Sequence, residues 1–86
     1  MQSGNAKPNK VSDKEKYRIF GILNDSQRSV AYVIIERARR GLWTRYDDCD
    51  GSISPEKRVG EIIGLGINIR FRRIAGDREH KVEFCL

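Results

Sequence analysis

Histidine, cysteine, proline and tryptophan are scarce in this chain of 86 residues, which holds one histidine, two cysteines, two prolines and one tryptophan. A single histidine, His80, leaves no second imidazole at ligand spacing and no base beside a nucleophile. It stands instead in an alternating, strand-like run. Cys49 and Cys85 lack CxxC spacing, so reduced thiols in a cytoplasmic chain are the expectation. No apolar run is long enough to span a bilayer, and the first eleven residues lack the apolar centre of a signal peptide. These eleven, MQSGNAKPNKV, are polar, contain both Gly and Pro, and read as a disordered arm. Residues 12–86 then form one small domain with a modest core.

Motifs for catalysis are as thin. Gly64-Leu65-Gly66 matches the start of a dinucleotide fingerprint, but it follows a helical pattern and precedes a strand, the reverse of the required order. Asp48, Asp50 and Gly51 match part of a calcium loop. In that register Tyr46 holds the first ligand position and Lys57 the last, which excludes it. The cluster of Asp47, Asp48 and Asp50 lacks the interleaved lysine of a nuclease site. The expectation is no enzyme, no cofactor, no metal, no membrane partner and no small-molecule substrate.

What the chain has is positive charge. Its formal net charge is +5, a surplus that favours polyanions through steering and counterion release. The distribution is sharper than the total. Arg70, Arg72 and Arg73 fall in a stretch without a carboxylate, shortly after a helical pattern carrying Lys57 and Arg58.

That stretch also has the clearest local structure. Ser54 reads as a helix N-cap, Pro55 as the first helical residue and Glu56 as a first-turn acid. Val59, Ile62 and Ile63 give an apolar stripe, and Gly66 is the stop. The period then changes to two. Ile67, Ile69 and Phe71 alternate with Asn68, Arg70 and Arg72, and beyond the turn at Ala75-Gly76-Asp77-Arg78 the residues Val82, Phe84 and Leu86 alternate with Lys81, Glu83 and Cys85. A hairpin follows, with Phe71 and Phe84 inward and Arg70, Arg72 and Cys85 outward.

Upstream, Ser12-Asp13-Lys14-Glu15 is a capping-box pattern opening a helix with Tyr17, Ile19, Phe20, Ile22 and Leu23 toward the core. Asn24-Asp25-Ser26 breaks it. Ser29–Arg40, closed by Gly41, reads as a second helix with its cap at Asp25, Ser26 or Ser29. A buried strand is the rival reading for this β-branched run, and a short strand at Ser29 or Val30 pairing with the hairpin is compatible with either. Leu42 to Ile53 reads as an irregular acidic loop.

The order of helix, helix, loop, helix and two-stranded hairpin resembles the winged helix-turn-helix family, above all its small phage and prophage modules. Arg58, Glu61, Ile62, Gly66, Ile67, Ile69 and Arg70 carry the resemblance. It implies an α+β, mainly α fold in which three helices precede a hairpin wing. It further implies a double-stranded DNA-binding protein, a small transcription regulator or mobile-element accessory factor. The third helix would then read the major groove through Lys57 and Arg58. Arg70, Arg72, Arg73 and Arg78 would serve the wing, and Gln27 and Arg28 would anchor a phosphate at the second helix. On the plainer alternative, Arg70 and Arg72 pair with Glu83 across the hairpin. The rival function is a protein-interaction adaptor or an inhibitor of a host protein; self-association is a further expectation. Neutralising about 4–6 phosphates implies a log–log salt slope of about −4 to −5.

Overall fold

A computed structural model describes residues 7–74, 76 and 81–86. Its elements are α1 (Asp13–Ile22), α2 (Asp25–Arg39), α3 (Pro55–Gly64), β1 (Arg70–Arg73) and β2 (Val82–Cys85). The fold is α+β and mainly helical, with three helices followed by a two-stranded antiparallel hairpin. Two 3₁₀ turns, Tyr46–Asp48 and Gly51–Ile53, occupy the acidic loop between α2 and α3. Among the described residues no helix is long and apolar enough to cross a membrane.

The helical period wins over the strand reading in α2. Gln27, Val30, Ala31, Ile34, Ile35 and Ala38 are its buried residues, the i, i+3, i+4, i+7 pattern of one helix face. The helix starts earlier than expected. Asn24 is the N-cap, and its side chain accepts from Gln27 N while the Gln27 side chain accepts from Asn24 N–H, a complete capping box. The Asn24-Asp25-Ser26 break is therefore a cap, and α1 and α2 are separated by Leu23 and Asn24 alone. Salt bridges Lys16–Glu36 at 3.2 Å and Asp13–Arg39 at 2.7 Å tie the two helices antiparallel.

α1 gives less to the core than its composition promised. Ser12 caps it through Glu15 N, but the Glu15 carboxylate turns to Arg18 rather than completing a box. Ile19 and Leu23 are buried, whereas Tyr17 is 72% and Ile22 45% exposed. The expected arm is held close from residue 7 onward. Pro8 is buried, Arg39 donates to Val11 O, and Asn9 Nδ2 donates to the carbonyl of Leu86.

Both glycine stops act as expected. Gly41 (φ 78°) and Gly66 (φ 92°) adopt the left-handed conformation. At each, two bonds close a Schellman motif: Gly41 N–H to Ala38 O with Leu42 N–H to Arg37 O, and Gly66 N–H to Ile63 O with Ile67 N–H to Ile62 O. The start of α3 differs from expectation. Ser54 is not a side-chain cap; it lies at φ 53° and its hydroxyl makes no capping bond. Its N–H donates to Gly51 O and its carbonyl accepts from Arg58 N. The 3₁₀ turn thus delivers the chain into α3 through a left-handed residue, and Pro55, which disfavours a right-handed helical conformation before it, follows directly.

The hairpin pairs Arg70 with Cys85, Phe71 with Phe84, Arg72 with Glu83 and Arg73 with Val82. A third chain segment joins it, though not the one expected near Ser29. Thr44 and Phe84 exchange both backbone bonds, at 2.8 and 3.0 Å. Phe84 is fully buried, its ring 4.9 Å from Tyr46 and 5.8 Å from Phe71. The two faces of the hairpin are not simply inner and outer. Cys85, expected outside, is fully buried, while Phe71, expected inside, is 44% exposed. Trp43 explains Cys85: its ring lies under Arg70 and Arg72, at 5.7 and 4.2 Å, so the face opposite Phe84 is covered as well.

The main core gathers Ile19, Val30, Ala31, Ile34, Val59, Ile62, Ile67, Ile69 and Phe84 among others. Ile62→Ala or Phe84→Ala should cost about 2–5 kcal/mol through lost burial and a residual cavity. Phe71→Ala should cost about 1–2 kcal/mol, because nearly half the ring is already in water. Urea unfolding of the three variants checks this ordering; a Phe71 variant as unstable as the Phe84 variant would reverse the assignment.

Candidate nucleic-acid interface

The residues expected to contact DNA divide into those engaged by the scaffold and those left exposed. Gln27 is 7% exposed, completes the α2 capping box and donates from Nε2 to Glu61 at 3.0 Å. Arg28 donates from Nε to Phe20 O at 2.8 Å, capping the end of α1, and pairs with Asp25. Gln27 is not presented as a phosphate anchor, whereas Arg28 remains exposed. Both join helices.

Arg58 is also drawn inward. Its side chain is 18% exposed and pairs with Glu61 at 3.3 Å, and its buried Nε has no hydrogen-bond partner. Glu61 therefore joins two elements, accepting from Gln27 on α2 and pairing with Arg58 one turn back on α3. Lys57, which has the same carboxylate at i+4, is exposed and makes no ion pair among the described residues.

On the hairpin, Arg72 follows the plainer alternative. It donates from Nε to Glu83 at 2.8 Å and stacks on Trp43 at 4.2 Å, an arrangement in which charge and ring quadrupole act together. The other Glu83 oxygen faces Arg45 at 3.5 Å. Arg70 does not share that carboxylate. Its guanidinium lies over Trp43 and reaches Cys85 Sγ at 3.5 Å, yet the residue remains exposed. Arg73 is exposed with no ion pair among the described residues. Arg78 and His80 lie outside the described residues.

Helix and hairpin meet at one end of the molecule. The left-handed turn at Gly66 reverses the chain, and a groove of about 430 Å³ lies between the first turn of α3 and the far end of the hairpin. It is lined by the cations Arg45 and Lys81, the carboxylates Asp47 and Glu56, and Tyr46, Ile74 and Val82. Sequence reasoning singled out neither Arg45 nor Lys81, and no motif marks them. Burial and the Glu56 carboxylate push the Tyr46 hydroxyl above its ordinary range, so it stays neutral. The exposed cations Lys57 and Arg73 are chain neighbours of the lining residues Glu56 and Ile74, though neither lines the groove itself.

The acidic loop is internally bound. Ser52 donates to Asp50 from its N–H and hydroxyl, at 2.9 and 2.8 Å, which holds that carboxyl below its usual range. Asp48 accepts from Arg45 N and pairs with Arg37. Burial, reinforced by Asp48, raises the Cys49 thiol, and both cysteines are free and buried. Among the described residues no three His, Cys, Asp or Glu side chains gather where they could hold a metal.

The chain matches no family model, no curated protein and no solved structure.

The network around Glu61 separates scaffold from surface experimentally. Gln27→Ala removes an N-cap partner and an interhelical bond and should cost about 1–2 kcal/mol in urea unfolding. Lys57→Ala should stay within about 0.5 kcal/mol of the parent. Equal stability of the two variants would show that the Gln27 bonds contribute nothing.

Proposed function

We propose that this protein is a winged-helix, double-stranded DNA-binding protein in which α3 enters the major groove and the hairpin is the wing. The observation that carries the reading is the meeting of the first turn of α3 with the far end of a basic hairpin. Exposed Lys57 and Arg73 are the chain neighbours of Glu56 and Ile74, which line the groove between helix and hairpin. An exposed lysine in the first turn of a helix, beside a hairpin that carries exposed Arg70 and Arg73, fits a base-edge contact flanked by backbone contacts. The order Thr44, β2, β1 across the sheet supports the same architecture, since it ties the segment before α3 to the returning wing strand. A small regulator or accessory factor of a mobile element, acting by occupying a site in the cytoplasm, is the role that goes with it.

The contact set is smaller than composition suggested. Lys57 is the candidate base reader on α3, and Arg70 and Arg73 are the candidate phosphate contacts on the wing. Arg58, Arg72 and Gln27 support them from within, while Arg28 stays exposed and tied to the end of α1. The adaptor reading keeps one observation in its favour, the exposed apolar side chains Tyr17, Tyr32, Ile63 and Leu65.

With about three phosphates neutralised by the described cations, affinity for duplex DNA should fall with a log–log salt slope of about −3. Arg73→Ala should flatten that slope by about one unit on every sequence, whereas Lys57→Ala should relax preference among sequences selected from random DNA by about 1–3 kcal/mol. Fluorescence anisotropy across a salt series reads both. No binding at micromolar protein in low salt, or an isotherm indifferent to salt, would end the DNA reading.

A further inference from the structure

β1 has a free edge, and the hydrogen-bond pattern shows which groups it presents. Antiparallel partners alternate between bonded and non-bonded positions. Ile74 N–H donates to Lys81 O at 3.0 Å, which places Ile74, Arg72 and Arg70 at the positions facing β2. Phe84, opposite Phe71, directs both of its backbone groups to Thr44 on the other side of β2. Phe71 and Arg73 therefore point their N–H and C=O groups away from β2. Among the described residues no strand or loop pairs with them.

The side chains on this edge have a definite chemistry. Arginine occupies three of the four positions of β1, RFRR. Phe71 is 44% exposed, with its ring braced on Phe84 at 5.8 Å. A second copy is a poor occupant, because β1 against β1 sets arginine opposite arginine, and like charges across a strand pair repel. A strand alternating carboxylates with apolar side chains complements the edge on all counts. Its backbone satisfies Phe71 and Arg73, its carboxylates lie on the face that carries the exposed Arg70, and its apolar side chains lie on the other face against the Phe71 ring.

We propose that the free edge of β1 accepts an extended acidic segment of a partner protein as an added strand. This mode of recognition takes affinity from main-chain bonds and selectivity from alternate side chains. The proposal stands apart from the DNA reading. The strand would engage the Arg70 side chain and the Arg73 backbone, so an acidic strand and a duplex would exclude one another, but edge pairing needs backbone donors that a phosphate contact does not.

The test uses the full chain and a short synthetic peptide in which glutamate alternates with valine and threonine. Its counterpart has the same sequence and charge, with every second amide N-methylated on the pairing edge. The unmodified peptide should bind and slow hydrogen exchange at the Phe71 and Arg73 amides, and the methylated one should bind at least about tenfold more weakly. Arg73→Pro removes an outward N–H without removing a ladder bond and should weaken the unmodified peptide by about tenfold as well; circular dichroism checks its fold. If that variant unfolds, the methylated peptide decides alone. Equal binding of the two peptides, no binding of either, or wild-type affinity in a folded Arg73→Pro protein overturns the proposal. So does protection of Phe71 and Arg73 in the free protein that fades on dilution, which would assign the edge to a second copy. Duplex affinity measured beside these leaves the outcomes separable, since loss of DNA binding with peptide binding intact bears on the DNA reading alone.

Discussion

Phe84 is held on three sides, and the positions of the other elements follow from it. Its backbone closes a two-bond bridge with Thr44, its opposite neighbour in the hairpin is Phe71, and its ring contacts Tyr46. One buried residue thus joins the connection after α2, the turn before α3 and both strands. A two-stranded hairpin is marginal on its own in water. Here it gains a third segment on one side and a helical core beneath, which fixes the direction in which the hairpin leaves α3.

The distribution of arginine is the second constraint. Arg28, Arg37, Arg39, Arg58 and Arg72 all bond backbone carbonyls or partly buried carboxylates. Several of these guanidinium groups join separate segments, as in the link from Arg39 to Val11 and Asp13. A net charge of +5 therefore overstates the cationic surface available to a partner. Of the cations that remain exposed, Lys57 lies on the first turn of α3 and Arg70 and Arg73 on β1.

Much of the fold is legible in local pattern. The 3.6-residue period of α2, the glycine stops at Gly41 and Gly66, and the shift to a period of two after Gly66 depend on neighbours within a turn or two, and each appears in the structure. Asn24 and Gln27 were equally readable as a capping box, but the apolar run after Ser29 drew the boundary too late. Other features depend on distant residues. Cys85 is buried where the alternation rule leaves it to solvent because Trp43, far away in sequence, lies on that face, and Phe71 is left half-exposed on the other. Arg58 reads as a surface cation from its place in the first turn of α3. Its pairing with Glu61, one turn on, is legible in the i,i+3 spacing, but the bond from Gln27 to the same carboxylate, 34 residues away, is not. For the candidate site, residue type found the right segments and packing decided which side chains face outward.

Trp43 gives the molecule an intrinsic optical gauge. It is the single tryptophan, it is 8% exposed, and its ring carries Arg72 on one face while its carbonyl accepts from Arg37 at the end of α2. An indole in that position emits from a dry, cation-flanked environment whose integrity requires both the hairpin and the α2 terminus to be in place. Lifting the hairpin would expose it to water and shift its emission to the red, even with every helix intact. One wavelength thus distinguishes detachment of the hairpin from melting of the helices, which far-ultraviolet ellipticity follows separately.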